Sequence, residues 1–252
     1  MNDYIMKKSL NFLFLIAVIL VVCSACHSDI APAATHGCIS LDSEMMDYVI
    51  QDGSVTVVSI SETNPSLAIP AIIEGLPVTK LGSHALYQNT TCTTLALPET
   101  LQTIESGAFY RCYSLIEIKI PESVLAIGND AFFRASSLEN IWVDEGNRYF
   151  CDIDGVLFSK DRTIILAYPE GRKDTQYILP DGVTTIKEAA FGYHTSLRFL
   201  CVPDSVVDFP DFNIFIYPDE ITIVASENSA ARAYAEKHGI HWLCHVDGSP
   251  GT

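Results

Sequence analysis

The chain repeats itself every 23 residues. Leu95-Ala96-Leu97-Pro98, Ile104 and Ala108-Phe109 are followed, one step on, by Ile118-Lys119-Ile120-Pro121, Ile127 and Ala131-Phe132. Leu115 and Leu138 keep the same step. The pattern returns with Pro180, Ile186, Ala190-Phe191 and Leu197, and Pro203 again lies 23 residues after Pro180. A fixed period of this length requires a solenoid, because one unit cannot bury its apolar face alone and must stack on its neighbours.

The residues within a unit suggest how it folds. Ile118 and Ile120 alternate with Glu117 and Lys119, the period of a short strand with one buried face. Pro121 ends that strand because it has no N–H for the next ladder bond. Val124 and Ile127 point inward again, Gly128 permits a turn, and Asn129-Asp130-Ala131-Phe132 reads as a short helical or irregular segment with Phe132 as the large plug. Cys92 falls in the slot held by Leu115 and Leu138, so it is expected in the core as a small hydrophobe.

These motifs resemble the BspA-like leucine-rich repeats of bacterial surface proteins. The form is a strand ending in Ile-Pro, then Val-x-x-Ile-Gly, Ala-Phe and a Leu before the next strand. Ile120-Pro121, Val124 to Gly128, Ala131-Phe132 and Leu138 carry it, and Arg111-Cys112-Tyr113-Ser114-Leu115 matches the Cys-x-x-Leu ending. Leu86 stands where Phe is usual, and Asp144 where the strand-ending Pro is usual. The resemblance spans roughly Cys38 to Leu243. It implies an α/β repeat solenoid, a right-handed coil with short parallel strands on one side and a cap at each end. It also implies a cell-surface role such as adhesion.

The expected organisation follows from this phase. Residues 38–246 form the repeat domain, with an N-terminal cap at 38–75 and a C-terminal cap at 221–246. Tyr48-Val49-Ile50 and Val55 to Val58 flank Asp52-Gly53 and read as a hairpin over the first rung. Ser229 to His238 reads as a short helix, with Ser226 or Ser229 at its start, Gly239 at its end and an apolar strand after it. The step from Asp144 to Pro180 is 36 residues, 13 more than one period, so residues 145–172 form an enlarged rung with a hairpin-like insertion.

The start of the chain reads as an export signal at 1–25. Lys7-Lys8 precede the apolar run Leu10 to Val22, and Ser24-Ala25 supply small residues before Cys26. Cys23-Ser24-Ala25-Cys26 resembles a bacterial lipobox, which makes Cys26 the lipid-attachment site. The usual Leu three residues before the lipidated Cys is Cys23 here. Ordinary cleavage near Ala25 or Ala34 is the alternative and gives a secreted protein. Residues 26–37 read as a tether and 247–252 as a tail. The localisation expected is the outer face of the cell membrane or the medium, with membrane contact through the lipid only. An even six cysteines remain after the signal and Cys26, which export permits to pair, but the repeat phase favours mostly free, buried thiols.

Charge narrows the partner. The chain has 31 acidic and 15 basic residues, a formal net charge of -16. That argues against nucleic acid, whose phosphates need clustered Lys and Arg, and against docking on anionic lipid. Catalytic signatures are missing from the sequence: there is no Gly-x-Ser-x-Gly, no phosphate-binding Gly-rich loop and no His-Glu-x-x-His. His238, His241, Cys244 and His245 form the densest ligand-like group, but Gly239 breaks the helix between them, and an end-cap explains them without a metal. Asp152-x-Asp154-Gly155 is explained by a tight turn better than by a calcium loop. No metal, cofactor or catalytic residue is therefore expected.

The functional candidate is a surface. By phase, the strand positions facing outward are Thr94 and Ala96, Glu117 and Lys119, Asn140 and Trp142, Gln176 and Ile178, Phe199 and Cys201. Trp142, Ile178 and Phe199 are apolar for solvent-facing sites, which suits a recognition face unless the enlarged rung covers them. Glu117, Lys119, Asn140, Trp142, Ile178 and Phe199 are the candidate partner-binding residues on an expected concave face. The reading is a monomeric, non-enzymatic exported protein that binds a protein or glycan there. A spacer module of the envelope is the alternative, and a carbohydrate-active hydrolase a third, although Glu117 is the only carboxylate in the row.

Overall fold

The computed structural model describes residues 34–41, 44–61, 64–193, 196–211 and 214–244. The export signal, Cys26, the tether up to residue 33, His245 and the tail lie outside the described residues. The chain opens with three antiparallel strands, β1 (Thr35–Leu41), β2 (Glu44–Gln51) and β3 (Ser54–Ile60). Asp52 and Gly53 both take left-handed backbone angles, which matches the twist of the β2–β3 hairpin. Two boundaries differ from the sequence reading. β1 begins at Thr35, inside the segment read as tether, and β4 (Ser66–Ala68), inside the segment read as cap, already pairs in parallel with the next rung.

The coil has strands on two sides rather than one. The main ladder runs β4, β7 (Thr94–Ala96), β9 (Glu117–Ile120) and β11 (Asn140–Val143), all parallel. A narrower ladder runs from β3 through β6 (Leu76–Leu81) and β8 (Thr103–Ile104) to β10 (Ala126–Ile127), while β5 (Ile72–Ile73) folds back on β6. Turns, not helices, close the third side. Phe109 N donates to Ala131 O at 2.8 Å, and the Phe109 and Phe132 rings stack at 5.3 Å inside the coil. Gly128 serves close approach rather than a left-handed turn. A Cβ there would lie 2.3 Å from the Ser106 amide nitrogen of the preceding rung.

The enlarged rung replaces one main-ladder strand by a hairpin tip. β12 (Phe150–Ile153) and β13 (Val156–Ser159) join through Asp154-Gly155, and β13 then pairs antiparallel with β14 (Ile164–Ala167). Ile141 N in β11 donates to Gly155 O at 2.8 Å, so the tip caps the first ladder. The main ladder restarts as β15 (Gln176–Ile178), β17 (Phe199–Cys201), β18 (Thr222–Ala225) and β19 (His241–Cys244), and the narrow one as β14 and β16 (Thr185–Ile186). Asn147 anchors the start of the insertion. It is fully buried, its amide donates to Pro121 O at 2.9 Å and Val124 O at 3.0 Å, and its Oδ1 accepts from Tyr149 N and Phe150 N. It thereby satisfies carbonyls that would otherwise be buried without a donor.

β13 also divides the interior. Leu157 packs into the N-terminal apolar cluster, which runs from Met46 to Ile141, whereas Val156 and Phe158 pack into the C-terminal cluster, which runs to Ile240. Helix α1 (Ala230–His238) lies between β18 and β19. Of the two candidate caps, Ser229 is the one used: its Oγ accepts from Arg232 N at 3.2 Å, while Gly239 ends the helix at φ 69°.

The thiols are less buried than the sequence reading holds. Cys92 and Cys112 lie in the core, but Cys151 and Cys201 are half-buried, and Cys38 and Cys244 are exposed. The outermost two sit on β1 and β19, where no flanking rung covers them.

Candidate functional site

The outward columns of the two main ladders make one candidate face. On β9 the burial alternates, with Ile118 and Ile120 inside and Glu117 and Lys119 in solvent. Register carries that alternation along the ladder: Ser66, Thr94, Glu117 and Asn140 form one column, and Ala68, Ala96, Lys119 and Trp142 the other. Beyond the hairpin tip the columns continue as Gln176, Phe199, Thr222 and His241, and as Ile178, Cys201, Val224 and Leu243. Trp142 is 39% exposed, Ile178 51% and Phe199 41%, so the enlarged rung leaves all three in solvent. Asn140 is the one that the rung reaches. It is half-buried, and a Cβ on Gly155 would lie 2.4 Å from its Oδ1.

The N-terminal part of the face is an open trough of about 680 Å³. Small side chains, Ser66, Ala68, Thr94 and Ala96, form its floor, Asn64 and Pro70 edge it, and Trp142 closes one end. Trp142 is held in place: its Nε1 donates to Glu117 Oε2 at 3.1 Å. Lys119 pairs with Asp144 at 2.9 Å. The side-chain hydrogen bond between them raises the lysine and, with the Gly146 amide as a second donor, lowers the aspartate. Asp144 occupies the place of the strand-ending proline, and it uses the N–H that proline lacks to donate to Ile120 O at 2.9 Å. The contribution of Ser66 and Ala68 is not visible in the period, since β4 lies 28 residues before β7 and not 23.

The other chemistry-bearing groups do not converge on this face. Asp152, read as a calcium-loop residue, accepts from Val143 N and Gly155 N, which makes it a turn brace. The His238 ring packs on Tyr234 at 4.4 Å, and His241 stands exposed on β19. Among the described residues, no three His, Cys, Asp or Glu side chains are grouped to hold a metal ion. Glu170 was missed by sequence reasoning. It is 6% exposed, accepts from Arg134 N at 2.9 Å, and burial pushes its carboxyl up to about 8. It borders a cavity of about 70 Å³ between the Ala131-Phe132 turn and Tyr168, away from the trough.

A second set of residues escaped the sequence reading although it keeps the 23-residue step. Tyr87, Tyr110 and Phe133 each follow the core plug of their rung and form a stack on the turn side, at 5.7 and 5.8 Å between ring centres. The signal was an aromatic at 87, 110 and 133, one place after Leu86, Phe109 and Phe132.

Comparison with known families gives the assignment. The BspA type leucine-rich repeat region matches residues 68–160 and 170–228 in six copies. The chain belongs to that family. Its Ala-Phe plugs and Ile-Pro strand ends are thus the family's repeat. Among solved structures, this BspA-type chain is similar to a leucine-rich cell surface protein from Faecalibacterium prausnitzii, with 17% identity, 80% of this chain and 78% of that one covered, and a TM-score of 0.45. A leucine-rich repeat protein of T. pallidum shares 16% identity over 79% and 95% of the two chains, with a TM-score of 0.46. Another from Eubacterium ventriosum shares 17% over 73% and 70%, with a TM-score of 0.41. None of the curated proteins matches the chain.

Proposed function

We propose that this BspA-type repeat protein is an exported, non-enzymatic interaction module that holds a protein partner on its ladder face at the cell surface. The observation that carries this reading is the line of Trp142, Ile178 and Phe199, three large apolar side chains left in solvent on outward strand positions of a stacked scaffold. A soluble chain with such a high net charge exposes such a line at a cost in solubility, and aromatic anchors beside a trough are the usual centre of protein recognition. Membership of the family and the absence of paired catalytic groups on the face support the same reading. Attachment through a lipid on Cys26 places the module at the outer membrane face. Among the described residues, no helix is long and apolar enough to cross a membrane.

The test compares capture by the wild type and by Trp142→Ser with Phe199→Ser, using extract of the cell envelope or of the surfaces the cell contacts. Loss of the captured protein with unchanged melting temperature is the expected result. Equal capture by both, or turnover of a glycan by the purified protein, would overturn the reading. Mass analysis of the mature N-terminus tests the anchor: diacylglycerol on Cys26 is expected, and cleavage elsewhere contradicts it.

A further inference from the structure

A second surface lies on the turn side of the coil. Tyr87, Tyr110, Phe133, Tyr193 and Tyr217 form a continuous row, with ring centres 5.6 to 5.8 Å apart from each ring to the next. Tyr87 and Tyr217 are exposed, and the three rings between them are half-buried. Tyr87 and Tyr110 are nearly parallel, at 6°, and Tyr110 and Phe133 are inclined by 19°. Rings stacked along the coil turn their faces to each other and their edges to solvent. The edge of an aromatic ring carries its positive partial charge.

The polar groups along this row have the same sign. The Arg111 guanidinium lies 5.4 Å from the Tyr110 ring centre, and that of Arg134 lies 4.0 Å from the Tyr193 centre. Arg134 also donates to the Tyr193 hydroxyl. Among the described residues, neither arginine has an ion pair with a carboxylate, and the Nε of each is buried without an acceptor. The nearest acid, Glu170, binds the Arg134 backbone and is kept neutral at pH 7 by burial. In a chain with 31 acids to 15 bases, most cations have acids to choose from, so two unpaired arginines on one stripe stand out. Their backbones are also left-handed, at φ 59° and 62°, with Gln88 at 58° in the preceding rung. Glycine takes that conformation without strain, so the arginine side chains are held there against local preference.

We infer that this stripe of ring edges, phenol hydroxyls and unpaired guanidiniums docks an extended acidic peptide segment of a partner protein, separately from the ladder face. Arginine forks bind carboxylates in two-bonded geometry, and Tyr with Arg is the commonest pairing at the centre of protein interfaces. An acidic sugar polymer suits the stripe less well, because sugars stack on ring faces and this row presents edges.

The probe is a fluorescein-labelled ten-residue peptide of alternating Glu and Ser, read by fluorescence anisotropy on the purified protein. Binding at 50 mM salt should weaken severalfold at 300 mM, and the Gln-for-Glu peptide should bind at least tenfold more weakly. Arg111→Gly with Arg134→Gly should weaken the Glu peptide at least tenfold while the melting temperature holds or rises, since the substitution also relieves the left-handed strain. If the glycine pair fails to fold, Arg111→Gln with Arg134→Gln carries the same expectation. Trp142→Ser with Phe199→Ser should leave peptide binding unchanged, which separates this surface from the ladder face. The inference fails if the Glu and Gln peptides bind alike, if both arginine pairs bind as the wild type does, or if oligogalacturonate binds and the peptide does not.

Discussion

The two halves of the ladder face are built on the same rung and present different chemistry. Before the hairpin tip, the outward columns are small or charged: Ser66, Ala68, Thr94, Ala96, Glu117 and Lys119, ending at Trp142. After it, they are Gln176, Ile178, Phe199, Cys201, Val224 and Leu243, among which Ile178, Phe199 and Leu243 are exposed. The inward positions do not differ in this way, since Leu95, Ile118, Ile141, Leu200 and Ile223 are all buried aliphatics. The core constrains one side of each strand to the period and leaves the other side free. One scaffold therefore carries a polar trough and an apolar strip side by side, and the enlarged rung marks the border between them.

If the border is a structural joint, Asn147 should be its most sensitive point. Asn147→Ala strips donors from two buried carbonyls and an acceptor from two amides, and should lower stability by about 3–5 kcal/mol. Chemical denaturation measures this, and a second transition in the variant would show that the halves have uncoupled. Leu157→Ala comes next, at about 3 kcal/mol, with hydrogen exchange accelerating mainly in the N-terminal half because Leu157 packs on that cluster alone. Equal acceleration in both halves would contradict the division at β13.

The joint also sets a pH dependence. Glu170 binds its proton more tightly in the fold than in the unfolded chain, because burial raises it from 4.5 to about 8. The folded state thus holds more protons across that interval, and stability should fall as pH rises from about 4.5 to about 8, then level off. Glu170→Gln should flatten this slope and leave the protein more stable than wild type at pH 8, by roughly 2 kcal/mol once the amide's own unmet hydrogen bonds are counted. Melting curves at pH 5 and pH 8 decide it, and an unchanged slope in the variant would contradict the assignment. The smallest stability effect belongs to the face itself. Trp142→Ser and Phe199→Ser should each shift unfolding by less than about 1 kcal/mol, since both side chains already stand largely in solvent.

How much of this was legible depended on the length of each signal. The slot shared by Cys92, Leu115 and Leu138 was readable because three rungs repeat it, and all three are buried. The alternation on Glu117–Ile120 was readable because four residues suffice to show a period of two. The second ladder was not, because Thr103–Ile104, Ala126–Ile127 and Thr185–Ile186 are two residues each and carry no alternation. Cys38 and Cys244 read as core only if flanking rungs cover them, and at the ends of a coil none does. Of the candidate site, the outward row could be phased from sequence, but the burial of Asn140 against Gly155 and the Glu117–Trp142 bond depend on side-chain geometry that spacing does not encode.

The central claim is that the ladder face holds the partner. Oxidative footprinting of the protein with and without the partner captured from native extract tests it most directly. The account predicts that labelling at Trp142 and Phe199 drops severalfold on binding, while the exposed Leu125, on the other side of the coil, stays unchanged. Full labelling of Trp142 and Phe199 in the bound state would contradict it.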